Sequence, residues 1–269
     1  MKRKMTANKR LKIRAVALDL DGVVYEGDHV IEGAADAIGT LRDKGIEIYF
    51  VTNNSGRKRT SIAEKLNQMG INAPLDQIIT SGYAAAVLAA SLCLTKNDRI
   101  CLVGSEELAE ELFQFNRNIV YEPPAEILVV GLDKAFNYDR LSAGLNALRQ
   151  GAIFIACNRD RTFPVGNDQV LPGCGPIVAA LEWAGGKKAD YVVGKPNTLM
   201  LELIASERRL PPRDILVVGD SIDSDIVMAE NYGCPSVLVT NNSEITNTGI
   251  LPDFKINSLK HLPHIFSED

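Results

Sequence analysis

The sequence predicts an α/β protein built on a Rossmann-like parallel sheet. Three observations predict this. Short apolar runs of strand length alternate with helical segments along nearly the whole chain, the pattern of parallel β-α-β units with right-handed crossovers. The 269 residues are 46% hydrophobic, enough for one large core or two smaller ones. The residues with chemical reach fall directly after strand ends, where open parallel sheets keep their chemistry.

The elements follow in order. Residues 13–20 (IRAVALDL) are a mostly apolar run with β-branched residues and read as a buried strand. Residues 34–44 place Ala34, Ile38 and Leu41 at helical spacing, and Gly45 is set to end that helix. Residues 46–51 (IEIYFV) form the second strand, and 60–69 a helix closed by Gly70. Further strands are expected at 99–104, 127–131 and 152–157, with helices near 106–115 and 138–149. Gly173-Cys174-Gly175-Pro176 reads as a tight turn into a helix carrying Ile177, Val178 and Leu181. Residues 191–193 make a short strand, 198–208 a helix, 215–219 a strand, 225–232 a helix and 236–240 a strand.

Composition excludes several classes. A net charge of −5 with 23% charged residues argues against a general nucleic-acid binder. No apolar run has the length needed to span a bilayer, so no membrane partner is expected. Residues 1–14 are strongly basic, and no apolar stretch follows as a signal peptide would require. They read as a flexible tail, with contact to an anionic surface as the alternative. Five cysteines without a CxxC pair fit neither a disulfide framework nor a zinc site. Buried thiols and a cytoplasmic location are expected. His29, His261 and His264 lie away from any other metal-ligand cluster.

Four strand ends carry the chemistry. The first is followed by Asp19-Leu20-Asp21-Gly22, the second by Thr52-Asn53-Asn54-Ser55-Gly56. The strand at 191–193 leads into Gly194-Lys195-Pro196, and that at 215–218 into Gly219-Asp220 with Asp223 and Asp225 beyond. Converging carboxylates repel strongly at short range. A hard divalent cation makes them tolerable, and Mg²⁺ prefers a few carboxylate oxygens plus waters and a substrate phosphate. Alone, each segment also has a bland reading: a surface acid pair, a turn, or acids at a helix start. Four of them, each after a strand, are hard to explain as packing.

On these motifs the sequence resembles the haloacid dehalogenase (HAD) superfamily of phosphatases, over essentially all the chain after the basic tail. The resemblance implies hydrolysis of small phosphate monoesters through an aspartyl-phosphate. Asp19 would attack phosphorus and Asp21 would act as general acid, then base, with neighbouring negative charge raising its pKa. Thr52 and the backbone N–H groups of Asn53 and Asn54 would hold phosphoryl oxygens, and Lys195 would supply positive charge. The Asp19 side chain, the Asp21 carbonyl and Asp220 would bind Mg²⁺, with Asp225 orienting ligands behind them. Asp223 competes for that last role, although family spacing favours Asp225.

The segment between Asp21 and Thr52 has no room for a further domain, whereas that between Thr52 and Lys195 is long. The resemblance therefore narrows to subfamily IIA, the NagD-like and 4-nitrophenylphosphatase-like enzymes. It implies a catalytic core at 15–80 and 189–269 and a cap domain at 81–188. Asn158 and Asp160 look like the subfamily's Asn-x-Asp cap loop and are expected to touch substrate. Two alternatives use the same residues: a phosphotransferase or mutase, and a non-catalytic phosphosugar-binding regulator. The partner is a small phosphorylated metabolite, with a homodimer through the cap as a further expectation.

Overall fold

A computed structural model describes residues 12–166, 169–240 and 249–266. Six parallel strands form the first sheet, in the order Phe254–Ile256, Ser236–Val239, Ile215–Gly219, Ala15–Leu18, Glu47–Thr52, Ile78–Thr80. The central strands are buried on both faces, as strands covered by crossover helices must be. Val16, Leu18, Ile48 and Phe50 face one apolar cluster, and Ala15, Ala17, Tyr49 and Val51 face another. Each large side chain buried this way contributes roughly 1.5–3 kcal/mol.

A second parallel sheet holds five strands, in the order Tyr191–Val192, Ile153–Ala156, Ile127–Val130, Ile100–Val103, Ile119–Val120. The apolar cluster behind Ala17 and Tyr49 continues without a break into this sheet through Ala84, Leu108, Val130 and Ile155. The two sheets therefore share one core. Their carboxyl edges face each other: Leu132 N–H, after one second-sheet strand, donates to Ser55 Oγ after a first-sheet strand (2.9 Å).

Several expectations are corrected here. Tyr191–Val192 pairs with Ile153–Ala156, so the second sheet runs past residue 188 and Lys195 follows one of its edge strands rather than a first-sheet strand. Ile78–Thr80 and Phe254–Ile256 extend the first sheet, and helix Ser81–Leu92 follows the former; none of these was expected. The hairpin Thr162–Gly166 with Gln169–Pro172 is likewise new. Of the expected flexible tail at 1–14, residues 1–11 lie outside the described residues. Arg14 is no part of such a tail, since its N–H donates to Asp214 O (2.9 Å) and its carbonyl accepts from Glu47 N–H (3.0 Å). Among the described residues, no helix is long and apolar enough to cross a membrane.

Helix Arg59–Gln68 has no side-chain cap of its own. Its orphan N-terminal donors are met from helix Glu106–Phe113 instead. Lys58 N–H donates to Glu107 Oε2 (3.1 Å) and Arg59 N–H to Glu111 Oε2 (3.0 Å). The side chains repeat the pairing, with Arg57 on Glu107, Lys58 on Glu110 and Arg59 on Glu111. The Arg59 guanidinium also lies 3.7 Å from the Tyr83 ring centroid.

Candidate active site

Asp19 stands one residue past the central strand Ala15–Leu18, and its N–H donates to Val218 O (2.9 Å) on the neighbouring strand. Parallel pairing of Ala15–Leu18 with Ile215–Gly219 thus sets Asp19 beside the loop of Asp220. Two glycines permit the close approach. A Cβ on Gly22, whose φ is +79°, would fall 2.2 Å from Asp220 Oδ2. One on Gly219 would fall 2.1 Å from Asp225 Cγ.

Lys195 is buried and ties the loops together. Its Nζ donates to Asp19 Oδ1 (2.6 Å) and to Asp225 Oδ1 (2.8 Å). Burial opposes its charge, but the two carboxylates outweigh that and raise its pKa. Asp225, on a π-helical turn Ile222–Ile226, also accepts from Ser221 N–H (3.2 Å) and Ser224 Oγ (3.3 Å). Asp223 is exposed on the same turn and lies outside the cluster, which separates the two competitors by geometry.

Carboxylate oxygens of Asp19, Asp220 and Asp225 lie within 4.8 Å of one another. Burial, then repulsion from Asp225, pushes Asp220 up to about 6. Burial raises Asp19 as well, against the pull of Lys195 and with Asp225 and Asp220 adding to the rise. One ammonium does not balance three converging carboxylates. The donors are all hard oxygens, so the residues fit a small divalent cation. Asp225 already receives three hydrogen bonds, which leaves Asp19 and Asp220 as the carboxylates suited to hold it.

Asp21 points a different way from this trio, toward Tyr25, whose hydroxyl donates to Asp21 Oδ2 at 3.5 Å. Partial desolvation raises the Asp21 pKa, while Lys65 and Lys195 lower it. Neighbouring negative charge, the cause expected from the sequence, does not drive that rise.

Thr52 ends the strand beside Asp19, and its Oγ1 accepts from Asn54 N–H (3.1 Å). The Asn54 N–H expected on a phosphoryl oxygen is thus taken by Thr52, and the Asn54 side chain accepts from Gly56 and Arg57 N–H (3.0 and 3.1 Å) and builds the loop. Asn53 is a clamp. Its Oδ1 accepts from Lys195 N–H (2.7 Å), and its Nδ2 donates to Lys195 O (3.1 Å) and Asp160 Oδ1 (3.0 Å). Asn158, buried, donates to Asn53 O (2.6 Å) and accepts from Asp160 N–H (3.0 Å). The side chains of Asn158 and Asp160, expected on substrate, and that of Asn53, whose backbone N–H was the group expected there, therefore hold the seam between the sheets and place Lys195. Ser81, unremarked in the sequence, adds a bond from its Oγ to Asn53 O (2.7 Å). Its only sequence signal was its position after a short strand, Ile78–Thr80, that was itself missed.

Comparison with known proteins bears on the family and the fold. The model of the haloacid dehalogenase-like hydrolase family matches residues 16–117, and a HAD-hydrolase-like model matches 192–262. The sugar-phosphatase AraL of Bacillus subtilis is 34% identical over 257 residues, 94% of this chain and 93% of that protein. The chain belongs to the haloacid dehalogenase-like hydrolase family. Within the HAD fold, the p-nitrophenyl phosphatase of Archaeoglobus fulgidus superposes with a TM-score of 0.86 at 32% identity, covering 94% of this chain and 99% of that one. The glycerol phosphate phosphatase Rv1692 of Mycobacterium tuberculosis, solved in complex with magnesium, gives 0.84 at 30% identity over 93% of this chain and 76% of that one. Such neighbours place this HAD chain in subfamily IIA, with the second sheet as its cap.

Proposed function

We propose that the chain is a Mg²⁺-dependent phosphatase of small phosphate monoesters that works through an aspartyl-phosphate on Asp19. The observation that carries this is the Lys195 ammonium held between Asp19 and Asp225 beside Asp220. It is a buried cation on a carboxylate nucleophile, next to oxygens suited to a divalent ion. The sugar, nitrophenyl and glycerol phosphatase activities of similar proteins support the same class.

Asp19 and Asp220, with the Asp21 carbonyl, would hold Mg²⁺. That ion would offset the charge of the phosphate dianion against the carboxylates. The Asp19 carboxylate oxygen attacks phosphorus, and the bond from phosphorus to the leaving oxygen breaks. Asp21 gives its proton to that oxygen. Water then attacks the same phosphorus, Asp21 takes the water's proton, inorganic phosphate leaves, and Asp19 is restored. Thr52 and the Asn53 N–H bind the phosphoryl oxygens, the Asn54 N–H turning from Thr52 Oγ1 to the substrate, and Lys195 stabilises the charge that develops on them. Asn53, Asn158 and Asp160 keep Lys195 in place, and the cap edge above them limits water at the site.

The test is phosphate release from a panel of 4-nitrophenyl phosphate, sugar phosphates, phosphoglycolate and nucleoside monophosphates. Wild type is expected to release phosphate with Mg²⁺ and to stop with EDTA, and Asp19→Asn is expected to be inactive. Equal activity in Asp19→Asn, or none in wild type across the panel, would end the reading. Phosphate passing to an added alcohol in place of water would mark a phosphotransferase.

A further inference from the structure

Asp21 has one partner for its carboxylate among the described hydrogen bonds, the Tyr25 hydroxyl at 3.5 Å. That is long, the length at which such bonds stand before substrate tightens them. Tyr25 is otherwise firmly built in. Its N–H donates to Leu20 O (3.2 Å) and its carbonyl accepts from Gly22 N–H (2.9 Å), closing the loop that carries Asp21. Tyr25 also starts a small hairpin, Tyr25–Glu26 with His29–Val30.

Lys65 sits on this hairpin. Its Nζ lies 3.9 Å from the Tyr25 ring centroid and 3.6 Å from Asp28 Oδ1 in the hairpin turn. The ammonium therefore touches both the ring and the turn. A cation over an aromatic face is worth about 0.5–2 kcal/mol, and it draws electron density from the ring, so the hydroxyl becomes a better donor. Lys65 comes from helix Arg59–Gln68, whose start is gripped by Glu107 and Glu111, so the charge is presented from a fixed element.

Resting on the phosphatase reading, we propose that Lys65 and Tyr25 are positioning residues that hold the Asp21 carboxyl in the orientation from which it protonates the leaving oxygen. Neither touches the reacting atoms. Both act through Asp21, at the step where the bond to the leaving group breaks.

The readout is leaving-group dependence in the first turnover, measured with Mg²⁺ on phenyl phosphate and 4-nitrophenyl phosphate. Phenol has a pKa near that of tyrosine, about 10, and needs the proton. Nitrophenolate is stabilised by its nitro group and leaves with little help. Tyr25→Phe and Lys65→Met are expected to lose about tenfold or more on phenyl phosphate and less than about threefold on 4-nitrophenyl phosphate, with KM unchanged. Lys65→Arg is expected to keep the wild-type ratio. Lys65 is on the surface side of the contact, so its variants carry the test if Tyr25→Phe folds poorly. Equal losses on both esters, or no loss on either, overturn the proposal while the phosphatase reading stands. A wild type that releases phosphate from neither ester nor from any member of the panel above overturns both.

Discussion

The Lys195 ammonium lies 2.6 Å from Asp19 Oδ1, across 176 residues of chain, and 2.8 Å from Asp225 Oδ1. No other cation reaches both carboxylates among the described ion pairs. Lys195→Met should therefore lower kcat by about 10²–10³-fold, the usual loss when a preorganised charge at the transition state is removed. Phosphate release at saturating substrate checks it.

Asp225 and Asp223 should separate just as clearly. Asp225 is buried and bonded to Lys195, Ser221 and Ser224, whereas Asp223 is exposed on the outer side of the same turn. Asp225→Asn should lower kcat by about tenfold or more, since partners of this kind support ligands at that scale. Asp223→Asn should leave it within about twofold, as surface changes do. Parallel kinetics of the two variants decide it.

Gly22→Ala should weaken metal binding before it weakens the fold. The added methyl would meet Asp220 Oδ2 at 2.2 Å, at a φ of +79° that side chains rarely adopt. Asp220 must swing away to make room. A Mg²⁺ titration of activity should show a raised half-saturating concentration, by about tenfold.

Glu111→Gln should cost about 3–5 kcal/mol, because Arg59 would keep a buried charge without its counter-ion. Glu111 is 2% exposed and Arg59 8%, so water cannot replace the lost partner. Chemical denaturation of wild type and variant measures the difference.

Glu182 should contribute acid-dependent stability. Burial works against its charge, but Arg159, Lys188 and the Ala189 N–H outweigh it and bring its pKa down to about 2. A carboxylate depressed in the folded state stabilises above its unfolded pKa, about 4.3. That stability fades as pH falls from there toward about 2. Glu182→Gln should flatten the stability profile in that window, as read by denaturation from pH 5 downward.

Much of this was legible in the residues themselves. The strands with four or more apolar residues, such as Ala15–Leu18, Ile127–Val130 and Ile215–Gly219, stand out by length and branching. The motifs at Asp19, Lys195 and Asp220 announce themselves by following strands. Ile78–Thr80 and Phe254–Ile256 are too short for periodicity to register. Helix Ser81–Leu92 is apolar nearly all round, so it has no polar face to give it away. Tyr191–Val192 was found, but the sheet it joins depends on pairing with residues nearly forty positions earlier. Asn53 and Asn158 carry the same amide whether they face a substrate or a neighbouring loop, and only coordinates show that one grips Lys195 and the other the Asn53 carbonyl. Tyr25 and Lys65 lie 40 residues apart, and nothing local links them.

The acids of helix Glu106–Phe113 that cap helix Arg59–Gln68 bear on how these proteins diversify. A chimera that transplanted only the inserted segment onto a foreign Rossmann-like base would leave Glu107, Glu110 and Glu111 without the five donors that Arg57, Lys58 and Arg59 supply here. The transferable module is larger than the insertion: residues 57–59 of this chain must travel with it.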